Sequence, residues 1–159
     1  MTGRGAPVLI QRGLLLDAQR RLPDDDRIGE LVAFQRGGRR VLVLARQPAR
    51  WRPTRNSMDQ DLGLQQALHQ AVGRAGAELD GILYVTVGLF ARRQARLDEL
   101  VELARRYQIK PAELIVVGAD PTLLESVIQC GGRALAVADH APDGASRHDS
   151  LKSALTALA

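Results

Sequence analysis

Five short apolar runs alternate with longer amphipathic segments along this chain, and that alternation limits the folds open to it more than any other feature. The predicted strands are residues 7–10, 40–45, 81–87, 113–119 and 133–139. The predicted helices between and after them are residues 26–36, 59–75, 96–107, 121–130 and 151–158. Strands that alternate with helices form a parallel sheet covered on both faces. The sequence therefore predicts a three-layer α/β/α domain with a mainly parallel sheet of about five strands.

Length and composition predict one domain. A chain of 159 residues with 45% hydrophobic content is large enough to bury a core of its own. Residues 1–140 are predicted to form the α/β domain. Residues 141–159 are predicted to be a polar connector and a short C-terminal helix packed on that same domain.

Membrane and disulfide classes are excluded by simple counts. The longest apolar runs, residues 41–45 and 82–90, are shorter than the ~18 residues that a membrane span requires. The N-terminus lacks a basic-then-apolar signal pattern, so we expect a cytoplasmic protein without membrane contact. Cys130 is the single cysteine, which excludes an intrachain disulfide and a Cys/His zinc site.

Several segments match a known family in the right order. Residues 8–17 read Val-Leu-Ile-Gln-Arg-Gly-Leu-Leu-Leu-Asp, and residues 41–44 and 64–84 continue the likeness. Ile-Val-Val-Gly at 115–118 and Gly131 extend it, so that it covers roughly residues 7–140. This pattern resembles the haloacid dehalogenase (HAD) superfamily, in particular the branch of heptose bisphosphate and histidinol-phosphate phosphatases. The resemblance implies a HAD-like Rossmannoid fold.

The resemblance also implies where catalytic groups would stand, and other residue types stand there. In the family's first motif one aspartate is the nucleophile and a second is the acid/base; Gln11 and Gly13 take their places. The second motif supplies a Ser or Thr hydroxyl, and the matching residue is Ala45. The first two motifs therefore lack the ionisable and hydroxyl groups that the family uses.

The third and fourth motifs also carry residue types that differ from those the family uses. The third supplies a lysine; Arg96 matches it, with Arg92 or Arg93 as alternatives because the preceding loop is short. The fourth supplies acidic magnesium ligands, and Ala119 and Leu123 stand there. We therefore expect no cofactor, no metal and no enzymatic activity: a pseudophosphatase that acts as a binding, regulatory or assembly component. The alternatives are a phosphatase-family hydrolase with a displaced active site and an Arg-rich nucleic-acid-associated protein.

Arginine accounts for most of the 22 basic residues, because Lys110 and Lys152 are the only lysines in the sequence. At the strand ends, Arg12, Arg46 and Arg96 are candidates for binding phosphate or another anion, because guanidinium groups match such oxygens in bidentate geometry. The opposing interpretation is that leucines fill the cleft and the arginines face solvent.

A second arginine-rich segment contains the single tryptophan. Arg50, Trp51 and Arg52 are candidates for an interface with an unidentified protein partner, since Trp and Arg are enriched among residues that dominate interfaces. The alternative is that Trp51 covers apolar surface of its own domain. Nucleic acid remains a weaker partner hypothesis, because the chain has only 3% aromatic residues for base stacking.

Overall fold

The computed structural model describes residues 6–19, 21–46, 55–85 and 93–159, without the side chains of residues 46, 55–58, 84, 85 and 93. The strands are β1 (Val8–Gln11), β2 (Val41–Arg46), β3 (Gly81–Val85), β4 (Ile115–Gly118), β5 (Arg133–Val137) and β6 (Ser146–His148). The helices are α1 (Asp25–Arg36), α2 (Arg55–Arg74), α3 (Arg93–Arg106), α4 (Pro121–Gln129) and α5 (Leu151–Leu158).

All six strands form one parallel sheet in the order β3-β2-β1-β4-β5-β6. Val8 of β1 pairs with Val41 on one side and with Ile115 on the other. The strand order reverses between β1 and β4, so their carboxyl ends border the crevice at which ligands bind in open sheets of this kind.

Alternation of side chains along β1 divides the core into two layers. Val8 and Ile10 pack with residues of α1, α2 and α5, whereas Leu9 packs with residues of α3 and α4. All three are fully buried. A strand segment that is buried on both faces has apolar residues at successive positions, which is why Val8, Leu9 and Ile10 of β1 form a continuous apolar run in the sequence.

Helix α2 shows why the helices could be predicted. Over its 20 residues, Leu68, Ala71 and Val72 are buried, while Gln66 and His69 are exposed. Such a stripe recurs with helical period and drives the helix against the sheet. No helix in the described ranges is long and apolar enough to cross a membrane.

In the part of the chain that the structure describes, the sheet has six strands rather than about five. Strand β6 lies within residues 141–150, which were predicted to be a polar connector. It pairs with β5 at the edge of the sheet, and its residues Ser146 and Arg147 are exposed. A three-residue edge strand without an apolar run leaves no periodic signal. Helix α5 begins and ends where the sequence predicts, and Leu151, Leu155 and Leu158 are buried in the core.

Candidate ligand-binding cavity

A cavity of about 460 Å³ opens at the carboxyl ends of β1, β2 and β4. The described part of its wall combines the turn after β1 with the ends of the two neighbouring strands and with Leu64 of α2. The lining residues are Gln11, Arg12, Gly13, Leu14, Leu16, Leu44, Ala45, Leu64, Ala119 and Asp120. The leucines therefore line the cleft without filling it.

The carboxamide of Gln11 is held in one orientation at the floor of this cavity. Its Oε1 accepts hydrogen bonds from the backbone N–H groups of Ala119, at 2.6 Å, and Asp120, at 2.9 Å. Only the oxygen of a carboxamide can accept, so two donors at this position fix which end of the group faces β4. The amide NH2 group at Nε2 remains as the hydrogen-bond donor that Gln11 can offer to a ligand.

Gly118 makes room for the Gln11 side chain. A Cβ at Gly118 would collide with Gln11 Oε1 and would lie 2.9 Å from Gln11 Cδ. A glycine inside a strand marks a place where another group approaches the backbone closely. The end of β4 is therefore shaped to receive the side chain from β1.

Arg12 turns away from the β4 end toward helix α2. Its Nη2 lies 2.7 Å from Asp61 Oδ1, and the two side chains are each 14% exposed. Its Nη1 donates to Gln65 Oε1 at 3.2 Å, and Gln65 is buried. The positive charge of Arg12 is thus balanced by a carboxylate that is largely removed from solvent.

Arg27 of α1 holds the turn that forms the apolar wall. Residues 12–15 make a single 3-10 turn, and Arg27 Nη1 donates to the carbonyl oxygen of Leu16 at 2.7 Å and to that of Leu14 at 3.4 Å. Leu16 also pairs with Pro23 in an isolated antiparallel bridge. These bonds satisfy backbone groups that a turn would otherwise leave unpaired, and they keep Leu14 and Leu16 against the cavity.

Asp120 stands at the rim of the cavity and caps helix α4. Its Oδ1 accepts a hydrogen bond from the backbone N–H of Thr122 at 3.0 Å, the usual arrangement at a helix start. The carboxylate therefore has a structural role in addition to lining the cavity.

The strand-end residues that the structure describes do not fit a magnesium site. Magnesium requires several oxygen ligands in near-octahedral geometry. Gln11 Oε1 already accepts two hydrogen bonds, and Gly13 and Ala119 have no side-chain oxygen. Within the ranges that the structure describes, no group of three or more His, Cys, Asp or Glu side chains is placed to hold a metal ion.

Four of the predicted motif positions meet at the cavity: Gln11, Gly13, Ala45 and Ala119. Leu123 packs against the core layer that contains Leu124 and Val127. The structure thus brings together the first, second and part of the fourth motif that the resemblance implies.

The three candidate anion-binding arginines are not equivalent. Arg12 lines the cavity but is paired with Asp61. Arg96 lies in the first turn of α3 and is half-buried, and the described cavity wall does not include it. The side chain of Arg46 and the interface candidates Arg50, Trp51 and Arg52 lie outside the described residues. Anion binding and the protein interface therefore stay predictions.

Asp61 and Gln65 hold the cavity residue Arg12 in place, but they were not identified from the sequence. They continue the buried stripe of α2 toward its N-terminus, because Asp61, Gln65, Leu68 and Val72 recur at three- and four-residue intervals. Two polar residues in line with buried apolar ones are the signal that points to a buried partner, here Arg12.

Phosphatases are among the solved structures that resemble this fold. A D,D-heptose 1,7-bisphosphate phosphatase from B. bronchiseptica, complexed with magnesium and phosphate, matches with a TM-score of 0.72 and 15% identity over 96% of this chain and 98% of that one. The corresponding phosphatase from Burkholderia thailandensis matches with a TM-score of 0.68 and 19% identity over 95% and 96% of the two chains. Neither a protein-family model nor a curated protein sequence matches the chain.

The chain therefore has the HAD-like Rossmannoid fold, which confirms the fold that the sequence resemblance implied. The same finding corrects the expectation that the protein is not an enzyme. The two solved structures reported above are phosphatases, which are enzymes, so the expected inactivity does not stand.

Proposed function

We propose that the protein binds a small, partly apolar molecule in the strand-end cavity and that Gln11 is its hydrogen-bonding anchor. The observation that carries this proposal is the fixed carboxamide, whose Oε1 accepts from Ala119 and Asp120 and whose Nε2 remains to donate. Small-molecule sites commonly combine apolar walls with a few precisely held polar groups.

The wall composition supports a ligand with an apolar part. Leu14, Leu16, Leu44 and Ala45 line the cavity and are each buried. Covering such a surface with a ligand removes apolar area from water, which stabilises binding by roughly 25 cal/mol per Å². The ligand class is therefore a short apolar body that carries a hydrogen-bond acceptor.

Pentanamide is a suitable probe, because it has a four-carbon chain and a carbonyl acceptor. A titration followed by backbone NMR should give saturable shifts at Gln11, Ala45 and Ala119. Gln11→Met keeps the side-chain length and removes the donor, so pentanamide should bind about two- to tenfold more weakly, as expected for one hydrogen bond.

Gln66→Met is the matched control, because Gln66 is exposed on α2 and does not line the cavity. It should leave pentanamide binding unchanged. Shifts that do not saturate, or equal weakening in Gln66→Met and Gln11→Met, would contradict the proposal.

A second candidate function is hydrolysis of a phosphorylated compound with reacting groups displaced from the end of β1. The fold comparison favours it, since the two heptose bisphosphate phosphatases match nearly the whole chain. The test is phosphate release from D,D-heptose 1,7-bisphosphate in magnesium buffer by wild type and by Asp120→Asn. Release that Asp120→Asn abolishes supports this function, and release that stays at the level of buffer alone contradicts it.

A further inference from the structure

The donors that an anion would use at the strand ends are already engaged by Gln11. Successive backbone N–H groups in a turn are a common means of binding phosphate and carboxylate oxygens. Here the N–H groups of Ala119 and Asp120 both donate to Gln11 Oε1, at 2.6 Å and 2.9 Å. An anion approaching this corner would meet a carbonyl oxygen instead of two donors.

The charges around the cavity act in the same direction. In the described part of the wall the cationic side chain is Arg12, and its guanidinium lies 2.7 Å from the Asp61 carboxylate. Asp120, which also lines the cavity, adds a carboxylate at the rim. Among the described wall residues, no uncompensated positive charge replaces the hydration of an anion, so moving an anion against this part of the wall costs free energy.

We propose that Gln11 makes this cavity selective for an uncharged acceptor and against anions such as phosphate. Gln11 acts as a specificity-determining residue. Its Oε1 accepts from the two backbone N–H groups, and its amide NH2 group can donate to a neutral carbonyl or hydroxyl oxygen of the ligand. The inference rests on the proposed ligand-binding function and names the charge class of the ligand.

A second contact, apart from the hydrogen bonds, supports the placement of the Gln11 side chain on which this assignment depends: its close approach to Gly118. Any side chain at that position would collide with Gln11 Oε1. The Gln11 side chain thus lies in space that only glycine at position 118 leaves open. Its placement therefore depends on the residue types at two positions that are far apart in the sequence.

The first test compares two probes of equal size, pentanamide and pentanoate, on the wild-type protein. Pentanamide should bind about tenfold more tightly, since pentanoate must give up hydration without gaining a free cation from the described part of the wall. Equal or tighter binding of pentanoate, with shifts at the amides of Ala119 and Asp120, would overturn the proposal. This comparison needs no variant and is therefore independent of effects on folding.

The second test uses inorganic phosphate and two substitutions of Gln11. Gln11→Ala frees both N–H groups, so phosphate should shift the Ala119 and Asp120 amides at concentrations that leave them unchanged in wild type, a gain of about tenfold. Gln11→Glu keeps an acceptor on both N–H groups and should show no gain. Failure of Gln11→Ala to gain phosphate binding, or a gain in Gln11→Glu as well, would overturn the inference.

The outcomes separate the two proposals. If wild type fails to bind pentanamide but Gln11→Ala gains phosphate, the ligand-binding function is wrong and the role of Gln11 against anions stands. If wild type binds pentanamide and pentanoate equally, the cavity binds ligands but Gln11 does not set their charge.

Discussion

The guanidinium of Arg12, one residue after β1, forms an ion pair of 2.7 Å with Asp61 on α2, and both side chains are 14% exposed. The pair joins the strand end to the helix that supplies Leu64 to the cavity wall. Because both side chains are mostly buried, water screens this ion pair little. The interaction free energy between its two charges should therefore be larger than that of a surface pair.

A double-mutant cycle of Arg12→Met and Asp61→Asn should therefore give a coupling free energy of roughly 1–3 kcal/mol in urea unfolding. The matched control is the pair Arg147–Asp149, at 2.6 Å, whose side chains are 49% and 88% exposed. Its cycle should give less than about 1 kcal/mol. Equal coupling in the two cycles would contradict a special role for the Arg12 pair.

Two glycine substitutions offer a second test, because we expect them to change the free energy of unfolding in opposite directions. Gly118→Ala introduces a Cβ that collides with Gln11, and we expect it to lower the free energy of unfolding by about 1–3 kcal/mol. Gly29→Ala lies in α1 with no heavy atom within 4 Å of the added Cβ, and it should raise stability by about 0.5–1 kcal/mol. A Gly118→Ala protein as stable as wild type would show that Gln11 moves aside at little cost.

Burial raises the pKa of the Cys130 thiol above its usual value of 9.0. The folded state then holds the thiol proton more tightly than the unfolded state. This contribution to stability is complete below pH 9.0 and is lost as the pH rises through the folded-state pKa. Wild type should therefore lose stability above pH 9.0 more steeply than Cys130→Ala in parallel unfolding curves. Identical slopes would remove Cys130 as the cause.

Much of the fold could be predicted from the sequence because buried apolar residues recur with the period of the helix or strand that carries them. The apolar run of β1 and the stripe of Leu68, Ala71 and Val72 in α2 each reflect contact with the core. Strand β6 could not be predicted in this way, since its pairing with β5 is made by backbone groups and its side chains are polar.

The site was less predictable, because its contacts join residues far apart in the chain. Gln11 and Ala119 are separated by 108 positions, and Arg12 and Asp61 by 49. Sequence alone placed Arg12 among the candidate anion-binding groups at the strand ends, but it could not show that a helix would bring a carboxylate to it. Likewise, an uncharged Gln11 gave no sign that its oxygen would occupy two backbone donors.

Arg46 and Arg96 are the two further anion-binding candidates that the sequence predicts beside Arg12. Charge-assisted hydrogen bonds from them to inorganic phosphate should give a dissociation constant in the millimolar range. The measurement is backbone NMR on wild type, Arg96→Gln and the control Arg133→Gln, whose arginine is exposed at the start of β5. Shifts that vanish only in Arg96→Gln support the prediction. Such binding should leave the Ala119 and Asp120 amides unshifted, which distinguishes it from phosphate bound at the β4 end.

The segment around Trp51 leads to the last prediction, which rests on sequence alone. Trp and Arg are the residue types that most often dominate protein interfaces, and the neighbouring Pro48 and Pro53 reduce the entropy that a loop loses on binding. Trp51→Ala should therefore abolish capture of a partner in a pull-down while leaving the melting temperature unchanged. If Trp51 instead packs on its own domain, the substitution should lower the melting temperature and leave capture intact, because truncating a buried tryptophan costs about 3–5 kcal/mol. Measuring both quantities on the same protein decides between an interface and an intramolecular packing role.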